Sequence, residues 1–169
     1  FTVADGNAYG GGIDNYGGGI IIVSGSPTIS SCLFRGNAAF RGGGAIVDSG
    51  GPTFVGCRFN RNEAVSGGAV FNSNSGAAIY FCTFSGNAAT SLGGAIYNEA
   101  LEGMVTTFLH ACLFYGNRAS DGGAIHSQAV FSGDALSLVL TSCVFSGNYA
   151  SNRGGGVYCR ALSPLITNC

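Results

Sequence analysis

Lysine is absent from this chain of 169 residues, and charge of either sign is scarce, with 9% of residues charged and a formal net charge of −1. All seven cations are arginines. No strong basic field exists to draw in nucleic acid or an anionic membrane. With so little charge, the surface is left to Ser, Asn, Thr and Gly, or to burial in an assembly. Long apolar runs are missing as well. The longest, Ile20-Ile21-Ile22-Val23, is far too short to span a bilayer as a helix. A signal-peptide pattern is missing too, and the first residue is Phe1 rather than Met. The chain therefore reads as a mature chain or a segment of a longer one. A helical period of useful length is also lacking, which turns the reading toward strands.

What is present is a repeat. Cys-x-Phe-x-x-Asn-x-Ala occurs at Cys32, Cys57, Cys82, Cys112 and Cys143, and a further cysteine, Cys169, stands in phase with them. The cysteine steps are 25, 25, 30, 31 and 26 residues. Each copy is followed by Gly-Gly-small-Ile/Val. A period of this size marks a solenoid in which each repeat is one coil of a stack.

Aligned on the cysteine, the position three residues earlier is always large and apolar, as at Phe54, Ile79 and Leu109. Cys and Phe, two apart in an extended chain, point to the same side. The asparagines Asn37, Asn62, Asn87, Asn117 and Asn148 form a uniform column after a turn signal. Stacked at about 4.8 Å, their amides can bond along the stack as a ladder. The glycine pairs, such as Gly43-Gly44 and Gly93-Gly94, suit a corner with positive φ or close backbone approach. Ile13, Ile46, Val70, Ile96, Ile125 and Val157 then point inward.

These features predict a single all-β domain over residues 1–169, a right-handed parallel β-helix of about six coils with about three strands each. Coils are expected to begin near 2, 32, 57, 82, 112 and 143. In the first, Thr2 falls in the cysteine column, Ala4 with the phenylalanines, Asn7 in the ladder and Gly10-Gly11-Gly12-Ile13 at the glycine corner. The extra residues of the long coils, Asp14–Pro27, Asn98–Thr107 and Ser127–Ser137, are expected on one side of the rod.

The pairing of FRGN, FNRN, FSGN, FYGN and FSGN with GGAI at 43–46, 93–96 and 122–125, GGAV at 67–70 and GGGV at 154–157 resembles the repeat of the chlamydial polymorphic outer-membrane proteins. The resemblance implies a β-helix in a secreted passenger or surface protein, often an adhesin, and hence an extracellular or cell-surface location.

The seven cysteines need not imply disulfides. Cys32, Cys57, Cys82, Cys112 and Cys143, with Cys169, share one inward column, where neighbours about 4.8 Å apart exceed the usual Cβ separation of a disulfide. A ladder of buried thiols is expected, with Cys159 outside it in the column of Asn15, Asp48, Asn72, Asn98 and Ser127. The acids Asp5, Asp14, Asp48, Glu63, Glu99, Glu102, Asp121 and Asp134 fall at different positions in different coils and form no cluster for glycan cleavage. No enzyme, cofactor or metal site is expected.

One outward stripe carries a binding expectation: Val47, Phe71, Tyr97, His126 and Tyr158, preceded by Asp14. Rings about 4.8 Å apart would stack on sugars or pack on another chain, or else stabilise the rod itself or lie under the inserted loops. Neither end has an amphipathic capping helix, so strand edges and core residues are left open. Phe1, Thr2, Ala4, Leu165, Ile166 and Cys169 are the expected contacts to another copy end to end, or to flanking solenoid of the same chain. The functional expectation is an extracellular structural or adhesive solenoid in a fibre, stalk or adhesin. The alternative is a carbohydrate-binding module that uses the stripe, and after it a polysaccharide lyase or hydrolase.

Overall fold

The structure is a computed structural model that describes residues 1–8, 15–101, 103–131 and 135–169; the side chains of Ile46 and Asp48 lie outside that description. Gly10–Gly12, Ile13, Asp14, Glu102 and Asp134 lie outside the described residues.

The described residues hold strands and no helix, arranged as a parallel β-solenoid of four six-stranded sheets. Each coil runs through the sheets in the order A, B, C, D. Sheet A takes Thr2–Ala4, Leu33–Arg35, Arg58–Asn60, Thr83–Ser85, Leu113–Tyr115 and Val144–Ser146. Sheet B takes Asn7–Ala8, Ala38–Ala39, Glu63–Ser66, Ala88–Leu92, Arg118–Asp121 and Tyr149–Arg153. Sheet C takes Ile20–Val23, Ala45–Asp48, Val70–Ser73, Ile96–Ala100, Ile125–Ala129 and Val157–Arg160. Sheet D takes Thr28–Ser30, Thr53–Val55, Ala78–Tyr80, Met104–His110, Ala135–Thr141 and Leu165–Thr167. The expectation of three strands per coil is corrected to four. The corner between sheets D and A is only a left-handed residue and the cysteine, too short to register as a break in the repeat.

Every left-handed residue among those described sits at a corner, with φ between +46° and +73°. Ser31, Gly56, Phe81, Ala111, Ser142 and Asn168 make the bend before sheet A. Asp5, Gly36, Arg61, Gly86, Gly116 and Gly147 make the bend before sheet B. This conformation costs a residue with a Cβ about 1–2 kcal/mol, which is why glycine recurs there. At the corner before sheet C the paired glycines do different jobs. The first is left-handed, as at Gly93 (φ +62°). The second allows close packing: a Cβ on Gly94 would stand 2.2 Å from the Gly123 carbonyl oxygen.

The interior is filled by stacked columns. Phe34, Phe59, Phe84, Phe114 and Phe145 stack face to face, with centroids 4.7–4.9 Å apart and planes within 6°. The position three before the cysteine is inward as expected, with Phe54, Ile79, Leu109 and Leu140 fully buried. The asparagine ladder is continuous. Each side-chain amide of Asn37, Asn62, Asn87 and Asn117 donates to the Oδ1 of the next coil at 2.9–3.1 Å. The same oxygen accepts the backbone N–H of the preceding asparagine. The second amide hydrogen goes back to the backbone carbonyl of the phenylalanine in the coil before, as from Asn87 to Phe59. Every polar atom of an interior ladder side chain is thus used, which is what burial of an amide demands.

The first two coils shift the expected register by one or more residues. Thr2 pairs with Leu33 and Val3 with Phe34, so Phe1 takes the cysteine position and Val3 the phenylalanine position. Gly6, not Asn7, meets the ladder through its N–H to Asn37 Oδ1 at 2.9 Å. The first glycine corner is Gly17-Gly18, followed by Ile20 opposite Ala45. In the second coil the left-handed glycine is Gly42, and Ala45 rather than Ile46 pairs with Val70. Three consecutive glycines in each of these coils leave the motif ambiguous, and only φ shows which one turns the corner. Consequently Val47, Asn72, Asn98, Ser127 and Cys159 share a column, headed by Ile22 rather than by Asn15 and Asp48. The extra residues of the fourth and fifth coils do share a place, lengthening the sheet-D strands Met104–His110 and Ala135–Thr141. In the first coil the sheet-D strand, Thr28–Ser30, is not lengthened.

Candidate functional site

The expected stripe lies on the outer side of sheet C, but without Val47. Val47 is fully buried on the inner side, because the register places it opposite Asn72. Phe71, Tyr97, His126 and Tyr158 do stand in register. Their rings meet edge to face at 5.0, 5.4 and 5.0 Å. This arrangement suits aromatic quadrupoles.

The stripe is not an open surface. Phe71, Tyr97 and His126 are 1%, 3% and 2% exposed. Tyr16 and Leu92, from the corner before sheet C, pack on Phe71 and Tyr97 as a second small core. Arg41 comes from the same corner column, bridging to Tyr16 on one side and Ser66 on the other. Its guanidinium lies 5.1 Å from the Phe71 ring centre and 5.6 Å from that of Tyr16. Side chains of the chain itself thus occupy the place expected for a ligand.

A polar chain runs along the edge of this seam. Glu99, nearly buried, accepts from Ser73 Oγ at 3.1 Å and from Tyr97 OH at 3.0 Å. Arg41 Nη1 stands 3.9 Å from the same carboxylate. Gln128 Nε2 donates to Tyr97 OH at 2.6 Å, and Gln128 Oε1 lies 3.3 Å from His126 Nε2. Burial, followed by the Glu99 charge, pushes the Tyr97 phenol up. Burial pulls the His126 imidazole down, against the opposing pull of Gln128 and Asp121. A neutral His126 that donates from Nε2 fits both facts and leaves Nδ1 bare, which matches its lack of a partner among the described residues. The chemistry here is that of a closed hydrogen-bonded seam. Among the described residues, no three His, Cys, Asp or Glu side chains gather as a metal site requires.

The cysteine column is continuous and its thiols are free. Cys57, Cys82, Cys112 and Cys143 are buried, Cys32 and Cys159 half-buried and Cys169 exposed. Sγ of each column cysteine donates to the carbonyl two residues before it, for example Cys82 to Tyr80 at 3.3 Å. The Cys57 N–H in turn donates to Cys82 Sγ at 3.3 Å. Hydrogen bonding from the neighbouring thiol, with burial, pushes Cys82 and Cys112 up, and burial alone pushes Cys159 up.

At the two terminal coils the expected contact residues are open. Phe1 is 90% exposed, Leu165 60% and Ile166 50%, and Thr2, Ala4 and Cys169 are exposed too. Thr2–Ala4 and Leu165–Thr167 each pair on one side only. Sequence reasoning offered cover by the inserted loops, to which Tyr16 belongs, and missed the wider corner cover that Arg41 and Leu92 complete. Its signal was the corner column Tyr16, Arg41 and Leu92, whose members are chemically unlike and so do not look like one column.

The chain was also compared with known proteins. Residues 81–99, 111–128 and 142–160 match the family model of the Chlamydia polymorphic membrane protein repeat. Each match opens on the left-handed residue before the cysteine and closes within or at the end of a sheet-C strand, so it takes in the thiol, phenylalanine and asparagine columns and the glycine corner. No curated protein and no solved structure matches the chain. The chain is thus a parallel β-solenoid in which three coils match the Chlamydia polymorphic membrane protein repeat.

Proposed function

We propose that the chain is an architectural segment of a surface-exposed protein, a stiff rod that sets distance rather than performing chemistry. The observation that carries this reading is the continuity of the thiol, phenylalanine and asparagine columns. They spend the recurring residues of each coil on holding the next one. The repeat family, one of membrane proteins, supports a surface location. Partners follow from the open strand rows at both terminal coils. Another coil seats against Phe1, Thr2 and Ala4 or against Leu165, Ile166 and Cys169, supplied by flanking sequence or by a second copy. Six-stranded sheets correspond to a rod about 30 Å long.

Electron microscopy of the native protein at physiological salt, with antibody labelling of intact producing cells, tests the reading. Labelling without permeabilisation and rod-shaped particles are expected. Filaments with an axial repeat near 30 Å identify a second copy as the partner, and separate rods identify flanking sequence. Labelling only after lysis, or particles without a rod, would sink the proposal.

A further inference from the structure

The outer side chains of sheet A leave a groove open to solvent across several coils, larger than the one of about 210 Å³ on sheet B between Ala89 and Tyr149. A groove of about 410 Å³ runs from Leu33 and Arg35 to Leu113 and Tyr115, across four parallel strands. That is on the order of 14 Å along the rod. Arg58 stands opposite Leu33, and Arg35 opposite Asn60, so two guanidiniums flank one end diagonally. Both arginines are exposed. Among the described residues neither is in an ion pair, and no Asp or Glu lies on a sheet-A strand. Asp5 sits at the corner beside Gly36, and Glu63 belongs to sheet B.

The floor between the ends is polar and already arranged. Asn60 Nδ2 donates to Ser85 Oγ at 2.8 Å, with Thr83 beside them. At the far end Tyr115 is 45% exposed. Unpaired guanidiniums, a floor of hydroxyl and amide groups and an open aromatic ring match a chain of sugars carrying anionic groups. Two arginines on a chain of net charge −1 are too few for a nucleic-acid backbone. The inner strands of sheet A are paired on both sides, so they offer a peptide no free edge.

We propose that this groove binds an acidic oligosaccharide lying along the rod axis, with carboxylate or sulfate groups on Arg35 and Arg58 and a sugar face on Tyr115. This role goes beyond the architectural one and does not depend on it. The sugar chain crosses successive coils, so the coil spacing sets which repeat of anionic groups is accepted.

Titration calorimetry on the 169-residue chain at low salt tests it, using a heparin tetrasaccharide, an oligogalacturonate tetrasaccharide and neutral cellotetraose. Binding of either acidic probe and not of cellotetraose is expected. Heparin alone identifies sulfates as the recognised groups, and galacturonate alone identifies carboxylates. The double variant Arg35→Gln/Arg58→Gln is expected to weaken binding roughly tenfold or more, Tyr115→Ala several-fold, and added salt to weaken it further. Arg118→Gln, an exposed arginine on sheet B, is expected to change nothing. All these side chains are at the surface, so circular dichroism confirms that the variants fold. The proposal is overturned if neither acidic probe binds, if cellotetraose binds as well as they do, or if Arg118→Gln costs as much as the groove arginines. Unchanged affinity in Tyr115→Ala removes the stacked sugar and with it the saccharide as occupant.

Discussion

Asn87 Oδ1 accepts two hydrogen bonds from Asn62, one from its backbone N–H at 3.0 Å and one from its side-chain amide at 3.1 Å. Asn87 passes the pattern on, donating to Asn117 Oδ1 and to the Phe59 carbonyl, each at 3.0 Å. One side chain therefore closes four bonds in a site with no measurable exposure. Asn87→Ala leaves the partners of all four short and is expected to cost about 3–5 kcal/mol. Asn87→Asp keeps the acceptor but loses both donations and adds a buried charge, so it is expected to cost more at neutral pH. Burial raises such a carboxyl, and its protonated form regains one donor, so the Asp variant recovers part of the loss as pH falls. Urea denaturation at pH 7 and pH 4 measures both effects.

Corner residues separate conformational strain from lack of space. Ala111 has φ +52° at a position where Gly56 stands in an earlier coil. Ala111→Gly relieves left-handed strain of about 1–2 kcal/mol and gives back about 0.5–1 kcal/mol in unfolded-chain entropy. A net gain of about 0.5–1 kcal/mol is expected. Gly116→Ala should cost only the strain, since nothing lies within 4 Å of the added Cβ. Gly94→Ala should cost more than about 3 kcal/mol, because its Cβ would meet the Gly123 and Arg118 carbonyl oxygens at 2.2 and 2.5 Å. Denaturation midpoints in that order, Ala111→Gly above wild type and Gly94→Ala lowest, check the assignment.

The columns that were legible in the sequence are those with one chemical reason repeated in each coil. An amide that must bond up and down stays Asn, and a ring that stacks on its own kind stays Phe. The register of the first two coils was not legible, since Gly42, Gly43 and Gly44 are identical letters with different backbone roles. The corner column that completes the cover over the stripe was hidden for the opposite reason. Tyr16, Arg41 and Leu92 share one place and have nothing in common chemically, so only the folded corner brings them onto Phe71 and Tyr97.

Thiol accessibility follows position along the column. At pH 8 iodoacetamide is expected to modify Cys169 quickly and Cys32 more slowly. Cys57, Cys82, Cys112 and Cys143 should react only after unfolding. Cys159 is half-buried and its thiol is pushed up by that burial, so it should lag behind Cys32 and catch up as pH rises. Mass spectrometry of native and urea-unfolded protein gives the order, and early labelling of Cys82 or Cys112 would contradict the buried column.

His126 gives the solenoid an acid-sensitive point. Burial lowers its folded pKa below the unfolded value, which lies near 6.5. In the window between those two values the unfolded chain binds more protons, so stability rises with pH there and falls on acidification. The loss begins as pH drops through about 6.5 and is complete below the folded pKa. Gln128, Asp121 and Arg160 act on the same imidazole, the first two favouring the charged form and Arg160 opposing it. His126→Phe keeps a ring between Tyr97 and Tyr158 and cannot titrate. The difference in unfolding free energy between wild type and His126→Phe is therefore expected to change between pH 7 and pH 5, with wild type losing ground. A constant difference across that range would show that His126 titrates alike in the folded coil and the unfolded chain, so that burial does not lower it.

Val47 sits directly before a polar column that starts without a donor. Asn72 Nδ2 donates to Asn98 Oδ1 at 2.7 Å, and Asn98 Nδ2 to Ser127 Oγ at 2.8 Å, so each donation runs toward the C-terminal coil. Asn72 Oδ1 should receive the matching bond from the coil before, but that position is Val47, and among the described residues the oxygen has no partner. Val→Thr in a fully buried site ordinarily costs about 1–3 kcal/mol, because the hydroxyl finds nothing to bond. Here the threonine hydroxyl of Val47→Thr faces an acceptor already waiting at coil spacing. The new bond offsets the desolvation and removes an existing unsatisfied group, so Val47→Thr is expected to be neutral or mildly stabilising. Val70→Thr, at a buried inward position without such an acceptor, supplies the control and should show the ordinary loss. Equal losses in the two variants would mean that Asn72 Oδ1 is satisfied in solution, and that the inner polar column does not end at the third coil.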